Sequence, residues 1–421
     1  LKKIIVLITS VLTISAALLN CSPENKPSSN SEVSISLEEK AAQIHERVLT
    51  IDTHCDTPML FERNDFDLGL RNDSPGSPSQ VDLPRMIAGG LDAAFFAVFI
   101  RQGERSSQGN QQAKEETLQI FDRIHKAVIK NSETAQLAFS SEDAYHIEKR
   151  GKRAIYMGIE NGYAIGTDLS LIQRYYDLGA RYMTLCHTSN NDICDSSTDR
   201  KGPEHDGLSR FGEEVVEEMN RLGMMVDVSH ISDQAFFDAL EVSRAPVIAS
   251  HSCARALCDN PRNLNDAMLK ALADNGGVIQ MCIMSAYVKK PDPYPERDEA
   301  MAELMDTYYG SKKLSKEEEV KALEAFQEIN RKYPIQLATV AEVVDHIDHI
   351  IDLIGIDHVG IGTDFDGGGG VDGCNDVSEM GNITLELVRR GYTEEQIRKI
   401  WGGNLIRVFG DVERLRDQGR G

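Results

Sequence analysis

Ile51-Asp52-Thr53-His54-Cys55-Asp56 closes a short β-branched and aliphatic run that begins at Val48. In an extended strand, residues i and i+2 share a face, so His54 and Asp56 converge on one point while Cys55 turns away. An imidazole and a carboxylate placed like this suit a divalent cation. Alone, His-x-Asp says little in a chain with 11 histidines. The same kind of ending, an apolar run that stops at His, Asp or Glu, recurs along the chain, and that recurrence decides the fold.

After the first run, 48–53, similar runs occupy 91–100, 154–159, 180–185, 224–228, 246–250, 277–282 and 358–363. Amphipathic stretches such as 168–178, 212–222, 233–243 and 266–275 lie between them, most followed by glycine or a small residue. Continuous apolar strands alternating with helices predict a parallel sheet covered by helices. Eight such runs predict a closed (β/α)8 TIM-like barrel rather than an open sheet. The charged stretch 297–333 interrupts the pattern as a helical insertion between strands 7 and 8. A helix resumes over 339–353, and Thr393-Glu394-Glu395-Gln396 has the spacing of a capping box.

Composition bounds the partners. With 45 Lys plus Arg against 67 Asp plus Glu, the formal charge is −22, and such a surface repels phosphate backbones. Nucleic acid is excluded as an expected partner. Lys2-Lys3 followed by the apolar stretch 4–19 reads as an export signal over residues 1–20. Cys21, directly after Ala17-Leu18-Leu19-Asn20, resembles a lipobox cysteine. The expectation is a protein exported to a bacterial cell envelope, periplasmic or held at a membrane through a lipidated Cys21. The Ser-, Pro- and Asn-rich stretch over 21–36 reads as a flexible tether, leaving 37–421 as one catalytic domain. Setting Cys21 aside leaves seven of the eight cysteines, an odd number, with Cys186–Cys194 and Cys253–Cys258 as candidate bridges.

In a barrel of this type chemistry sits at the C-terminal strand ends. Reading only those ends gives His54 and Asp56 on the first, Glu160 on the third, His187 on the fourth, His230 on the fifth, His251 on the sixth and Asp364 on the eighth. Imidazoles and carboxylates meeting on one rim suit two borderline-soft metals such as Zn²⁺, one carboxylate bridging them. The remaining histidines, His45, His125, His146, His205, His346, His349 and His358, fall on helices, in loops or at a strand start and read as structural. The glycine run 367–370 lacks the Lys and Ser/Thr of a phosphate-binding loop and reads as a flexible loop at the site.

These positions carry a resemblance to the membrane dipeptidases, the renal dipeptidase-like metallopeptidases of the amidohydrolase superfamily. The motifs are Ile-Asp-Thr-His54-Cys-Asp56, Gly158-Ile-Glu160-Asn-Gly162, Leu185-Cys-His187, Gly207-Leu-Ser209, Asp227-Val-Ser-His230, Ser250-His251-Ser252, Pro261-Arg262-Asn263, Gly362-Thr-Asp364-Phe-Asp366-Gly367 and Gly403-Asn404. The resemblance covers roughly 48–409. It implies that His54 and Asp56 bind one zinc, that His230 and His251 bind a second, and that Glu160 bridges both. His187 and Arg262 would meet the substrate and Asp364 would handle protons. The implied reaction is hydrolysis of dipeptides by a hydroxide shared between the metals, with a C-terminal D-residue tolerated, in a homodimeric enzyme. Around Gln280-Met281-Cys282-Ile283-Met284 the chain departs from the Asn-Phe-Tyr character of the animal enzymes. Two other readings remain open: hydrolysis of a lactam, lactone or N-acyl-amino acid by the same metals, and a lipoprotein that captures peptides without cleaving them.

Overall fold

A computed structural model describes residues 35–63, 65–73, 79–308 and 316–418. The expected export signal, Cys21 and most of the expected tether lie outside those residues. Nine strands form one sheet: β1 (Ile51–Cys55), β2 (Ala93–Phe99), β3 (Ala135–Leu137), β4 (Arg153–Glu160), β5 (Ala180–Thr184), β6 (Met225–Asp227), β7 (Ile248–Ser252), β8 (Val278–Met281) and β9 (Val359–Ile361). All pair in parallel, in the order β1-β2-β4-β5-β6-β7-β8-β9, and β3 pairs with β4 off this path. The eight path strands are those expected from the apolar runs. The short β3, Ala-Gln-Leu, carries too few residues for a recognisable pattern.

The barrel closes where β1 meets the segment after β9. Asp364 N donates to His54 O (2.9 Å), Asp56 N to Phe365 O (2.8 Å) and Thr53 Oγ1 to Ile361 O (3.1 Å). Below this seam Asp52, fully buried, accepts from Thr363 N (2.8 Å), Thr363 Oγ1 (2.6 Å) and His54 N (3.2 Å). Burial pushes its carboxyl up to about 6, against the pull of the Thr363 and His54 bonds.

Side chains alternate across the sheet. On β2, Ala93 and Phe95 belong to one buried cluster, whereas Ala94, Phe96 and Val98 belong to the other, which includes Phe121, Phe236 and Val343 from the covering helices. The first cluster stacks Phe95 on Tyr156 (ring centroids 4.6 Å) and on Tyr182 (5.4 Å). Phe409, from the helix Asn404–Gln418, meets Tyr156 edge-on at 6.0 Å. Gly158 makes room for this packing: a Cβ there would overlap the Tyr182 ring, whose hydroxyl reaches His54 Nδ1 at 2.8 Å.

Helix ends follow local chemistry. Ser209 caps the helix Arg210–Leu222 by accepting from Gly212 N, and Gly223 ends it in the left-handed conformation. Thr339 with Glu342, and Thr393 with Gln396, form capping boxes. The insertion between β8 and β9 contains the helices Pro295–Tyr308 and Lys316–Lys332. Among the described residues no helix is long and apolar enough to cross a membrane. Neither candidate bridge forms, since the seven described cysteines are all unpaired. The Cys253 thiol turns to Cys282 O (3.2 Å), and that of Cys258 to Ala286 O (3.6 Å).

Gly158→Ala is expected to drive the Tyr182 ring off its position and to destabilise the protein by about 1–3 kcal/mol, the usual penalty for overpacking a core. A urea unfolding curve measures it; a midpoint equal to that of the parent protein would show that the ring has room to yield.

Candidate metal centre

Parallel strands bring all their C-terminal ends to one rim, and the polar residues there meet above the aromatic layer. His54 lies on β1 and Asp56 directly after it, Glu160 ends β4, and His251 lies on β7. His187, His230 and Asp364 follow the ends of β5, β6 and β9 by three residues each. His230 (φ 71°) and Asp364 (φ 62°) adopt left-handed backbone, a conformation that costs a non-glycine residue about 1–3 kcal/mol and is concentrated at functional sites.

Glu160 stands at the centre. Its Oε2 lies 3.5 Å from His54 Nε2, and its Oε1 lies 3.1 Å from His230 Nε2, 3.5 Å from His187 Nε2 and 3.7 Å from His251 Nε2. The two oxygens of one carboxylate therefore face different imidazoles, with His251 also within 4.8 Å of the His54 and Glu160 ligand atoms. Asp56 Oδ2 lies 3.5 Å from His54 Nε2 on the first side. His54, Asp56 and Asp364 also form a group whose ligand atoms all lie within 4.8 Å of one another. Gly367 permits this crowding, because a Cβ there would overlap both the Asp56 and the Asp364 carboxylates. The glycine run is pinned: Gly367 N and Gly369 N donate to Asp364 O and Gly370 N to Ile283 O, so it is a tied turn.

The electrostatics match a cation site. Burial opposes ionisation of Glu160, but the surrounding His54, His187 and His230 outweigh it and hold the carboxyl well below its usual range. Burial, with nearby cationic groups, holds His230 and His251 well below the usual imidazole value, so both are neutral. His54 goes the other way. Burial disfavours its charge, yet Tyr182, Glu160 and Asp56 raise it well above the usual value, a proton thus standing where the carboxylates call for a cation. Asp364 is raised well above the ordinary carboxyl range by burial, with Cys282 and Asp56 adding to it.

The donor set fits a metal. Buried His54 Nε2, Asp56 Oδ1 and His230 Nδ1 have no hydrogen-bond partner among the described residues. The Nε2 atoms of His230 and His251 face each other at 2.8 Å, an arrangement in which two neutral rings need a shared proton or a cation. Imidazoles and carboxylates together suit Zn²⁺ or a similar borderline ion.

Arg262 adds a cationic wall. It is 3% exposed, donates from Nη2 to His251 O (3.2 Å) and lies over the Tyr287 ring at 5.3 Å, while Nε and Nη1 have no hydrogen-bond partner among the described residues. His187, packed edge-on to Phe99 at 4.9 Å, stands on the opposite side of Glu160 from His54. The rim thus assembles His54, Asp56, Glu160, His187, His230, His251 and Asp364, with Arg262 alongside. The other histidines are engaged elsewhere, as His45 with Thr384 Oγ1 and Gly89 O, His346 with Ala254 N and Val288 O, and His349 with Asp266.

Sequence reading gave no role to the polar residues inside the strands: Asp52, Tyr182, Thr184, Asp227 and Ser250, all buried. A signal was present, since a polar side chain in an otherwise apolar parallel strand needs a buried partner.

The profile of the membrane dipeptidase family, peptidase family M19, matches residues 38–420. A dipeptidase, tcpJ, of Claviceps purpurea is 35% identical over 338 residues, covering 79% of this chain and 69% of that protein. Mouse dipeptidase 3 is 32% identical over 395 residues, covering 91% of this chain and 69% of that protein. Among solved structures, the probable dipeptidase PvdM of Pseudomonas aeruginosa superimposes with a TM-score of 0.77 at 32% identity, over 90% of this chain and 99% of that one.

Glu160→Gln removes the charge that both ligand groups share and should strip bound metal from both, whereas Asp56→Asn should weaken only the His54 side. Elemental analysis after gel filtration reads the difference; full metal content in the Glu160→Gln protein would contradict the bridging arrangement.

Proposed function

The chain belongs to the membrane dipeptidase family, peptidase family M19, and from that premise we propose that it is a dinuclear zinc dipeptidase that accepts a D-residue at the C-terminal position. The observation that carries the reading is Arg262: a buried guanidinium beside the ligand cluster whose Nε and Nη1 have no hydrogen-bond partner among the described residues. Leaving such a group without an anion is costly, and its planar fork matches a carboxylate. A dipeptide's free C-terminus supplies that anion next to its single peptide bond.

His54 and Asp56 would hold one zinc and His230 and His251 the other, with Glu160 shared between them. When bound, such cations lower the pKa of water and polarise a carbonyl. Everything else falls to the chain. Arg262 binds the substrate carboxylate and sets the peptide bond's position along the rim. His187 reaches the scissile carbonyl from the Phe99 side and stabilises charge as it develops on that oxygen. Asp364 takes the proton of the attacking water and delivers it to the nitrogen of the leaving amino acid. The left-handed backbone at Asp364 and the absent Cβ at Gly367 hold its carboxylate against Asp56 for that transfer.

The amino-terminal reading joins the same proposal: an enzyme exported to the cell envelope, attached through a lipidated Cys21 and acting as a homodimer. Palmitate labelling that Cys21→Ser abolishes is the expected result for the anchor.

Metal-replete protein should release free amino acids from a panel of L,L and L,D dipeptides and lose that activity on chelation. A panel left wholly intact would sink the reading. Arg262→Ala should raise KM for dipeptides by about 10- to 100-fold, the scale of a lost charge-assisted bond. A hydrolase indifferent to the carboxylate would hardly respond. Asp364→Asn should lower kcat by about 10²- to 10⁴-fold with KM little changed, as for loss of a proton-transfer group.

A further inference from the structure

Two buried carboxylates lie under the rim, and neither is in the ligand set. Asp52 ties β1 to the segment after β9 and touches no ligand side chain. Asp227, at the end of β6 and fully buried, is different. Its Oδ1 accepts from Ser229 N (3.0 Å) and Ser250 N (2.8 Å), and its Oδ2 accepts from Thr184 Oγ1 (2.5 Å) and Ser250 Oγ (2.6 Å). Ser250 Oγ in turn lies 2.8 Å from His251 Nδ1.

The direction of this chain follows from what each atom can do. The Ser250 hydroxyl has a single proton, and it goes to Asp227 Oδ2. Its oxygen is then left to accept, and the partner it accepts from is His251 Nδ1–H. That assignment fixes the tautomer of His251 and leaves the Nε2 lone pair aimed at Glu160, 3.7 Å away, and at His230. The strand places the parts: Ser250 and His251 are consecutive on β7, and Asp227 sits across from them on β6, with Asp227 and Ile248 in register.

The other imidazoles lack this support. His54 Nδ1 meets the Tyr182 hydroxyl at 2.8 Å, which itself donates to Thr53 O (3.2 Å), so a phenol and a backbone carbonyl stand behind the ring. His230 Nδ1 has no partner among the described residues. A carboxylate behind an imidazole raises its basicity as a ligand and holds the ring in place, and removing such a partner commonly costs 10- to 100-fold in metal affinity.

We propose that Asp227 is a positioning residue that, acting through the Ser250 hydroxyl, sets the tautomer and orientation of His251 and so strengthens the cation on the His230/His251 side selectively. The proposal rests on the reading of the rim as a two-cation site. It makes the two positions unequal: one is backed by a buried carboxylate through a hydroxyl, the other by a phenol.

The test is titration of the metal-free full chain with Zn²⁺ against a chromophoric chelator, repeated with Co²⁺ to record its visible d–d bands. Ser250→Ala and Asp227→Asn should each weaken one class of site by 10- to 100-fold, shift the cobalt bands of that class and leave the other class within about threefold. Thr184→Val removes another hydroxyl from the same Asp227 oxygen but not the route to His251, and should leave both isotherms unchanged. If Asp227→Asn does not fold, Ser250→Ala with Thr184→Val decides alone. A Ser250→Ala isotherm that overlays the parent's, equal weakening of both classes, or a Thr184→Val protein as impaired as Ser250→Ala would each overturn the proposal. These readouts involve no substrate. A parent protein that binds both cations and cleaves no dipeptide would sink the peptidase reading and leave the positioning role standing.

Discussion

Closure of the barrel is the constraint on which the rest depends. Parallel strands have both faces to bury, and a closed sheet has no edge left to protect. Here the seam is a set of hydrogen bonds between β1 and the segment after β9, with Asp52 gripping Thr363 beneath them. The atoms that close it are the backbone of His54, Asp56 and Asp364. Closing the fold and bringing the first and last site residues together are one event, although some 300 residues of chain separate them.

Burial then sets the chemistry. A carboxylate such as Glu160, 3% exposed, must be paired or neutralised, and this one is surrounded by four imidazoles. The surplus of donors and acceptors without a hydrogen-bond partner among the described residues, His54 Nε2, Asp56 Oδ1 and Nε and Nη1 of Arg262, would be a defect in an inert core. On the reading proposed above, in which the rim takes up cations and a carboxylate, it is stored binding capacity. The left-handed backbone at His230 and Asp364 belongs to the same account, since strain of this kind persists only where surrounding contacts impose it.

Much of this was legible in the chain. The eight apolar runs became the eight strands of the barrel path, and each of the seven residues read from their ends reached the same rim. What escaped was either too short or too indirect. β3 has three residues, fewer than any periodicity needs. The glycine run looked mobile because composition reports conformational freedom, whereas its backbone bonds to Asp364 and Ile283 come from distant chain. Cys253 paired with nothing, since its neighbour across the sheet is Cys282 and its thiol is turned to that residue's carbonyl.

By itself the sequence determined the alternation of strand and helix, the residue type at each strand end and the acidic character of the whole, because periodicity and composition are local properties. Tertiary structure alone decided which polar residues inside the strands face the ligands. Tyr182 reaches His54 because Gly158 on the adjacent strand has no side chain, and Asp227 reaches His251 because β6 and β7 are neighbours in this register. Such pairings depend on strand order, register and the room left by a missing Cβ, and a linear pattern specifies none of the three until the barrel has closed.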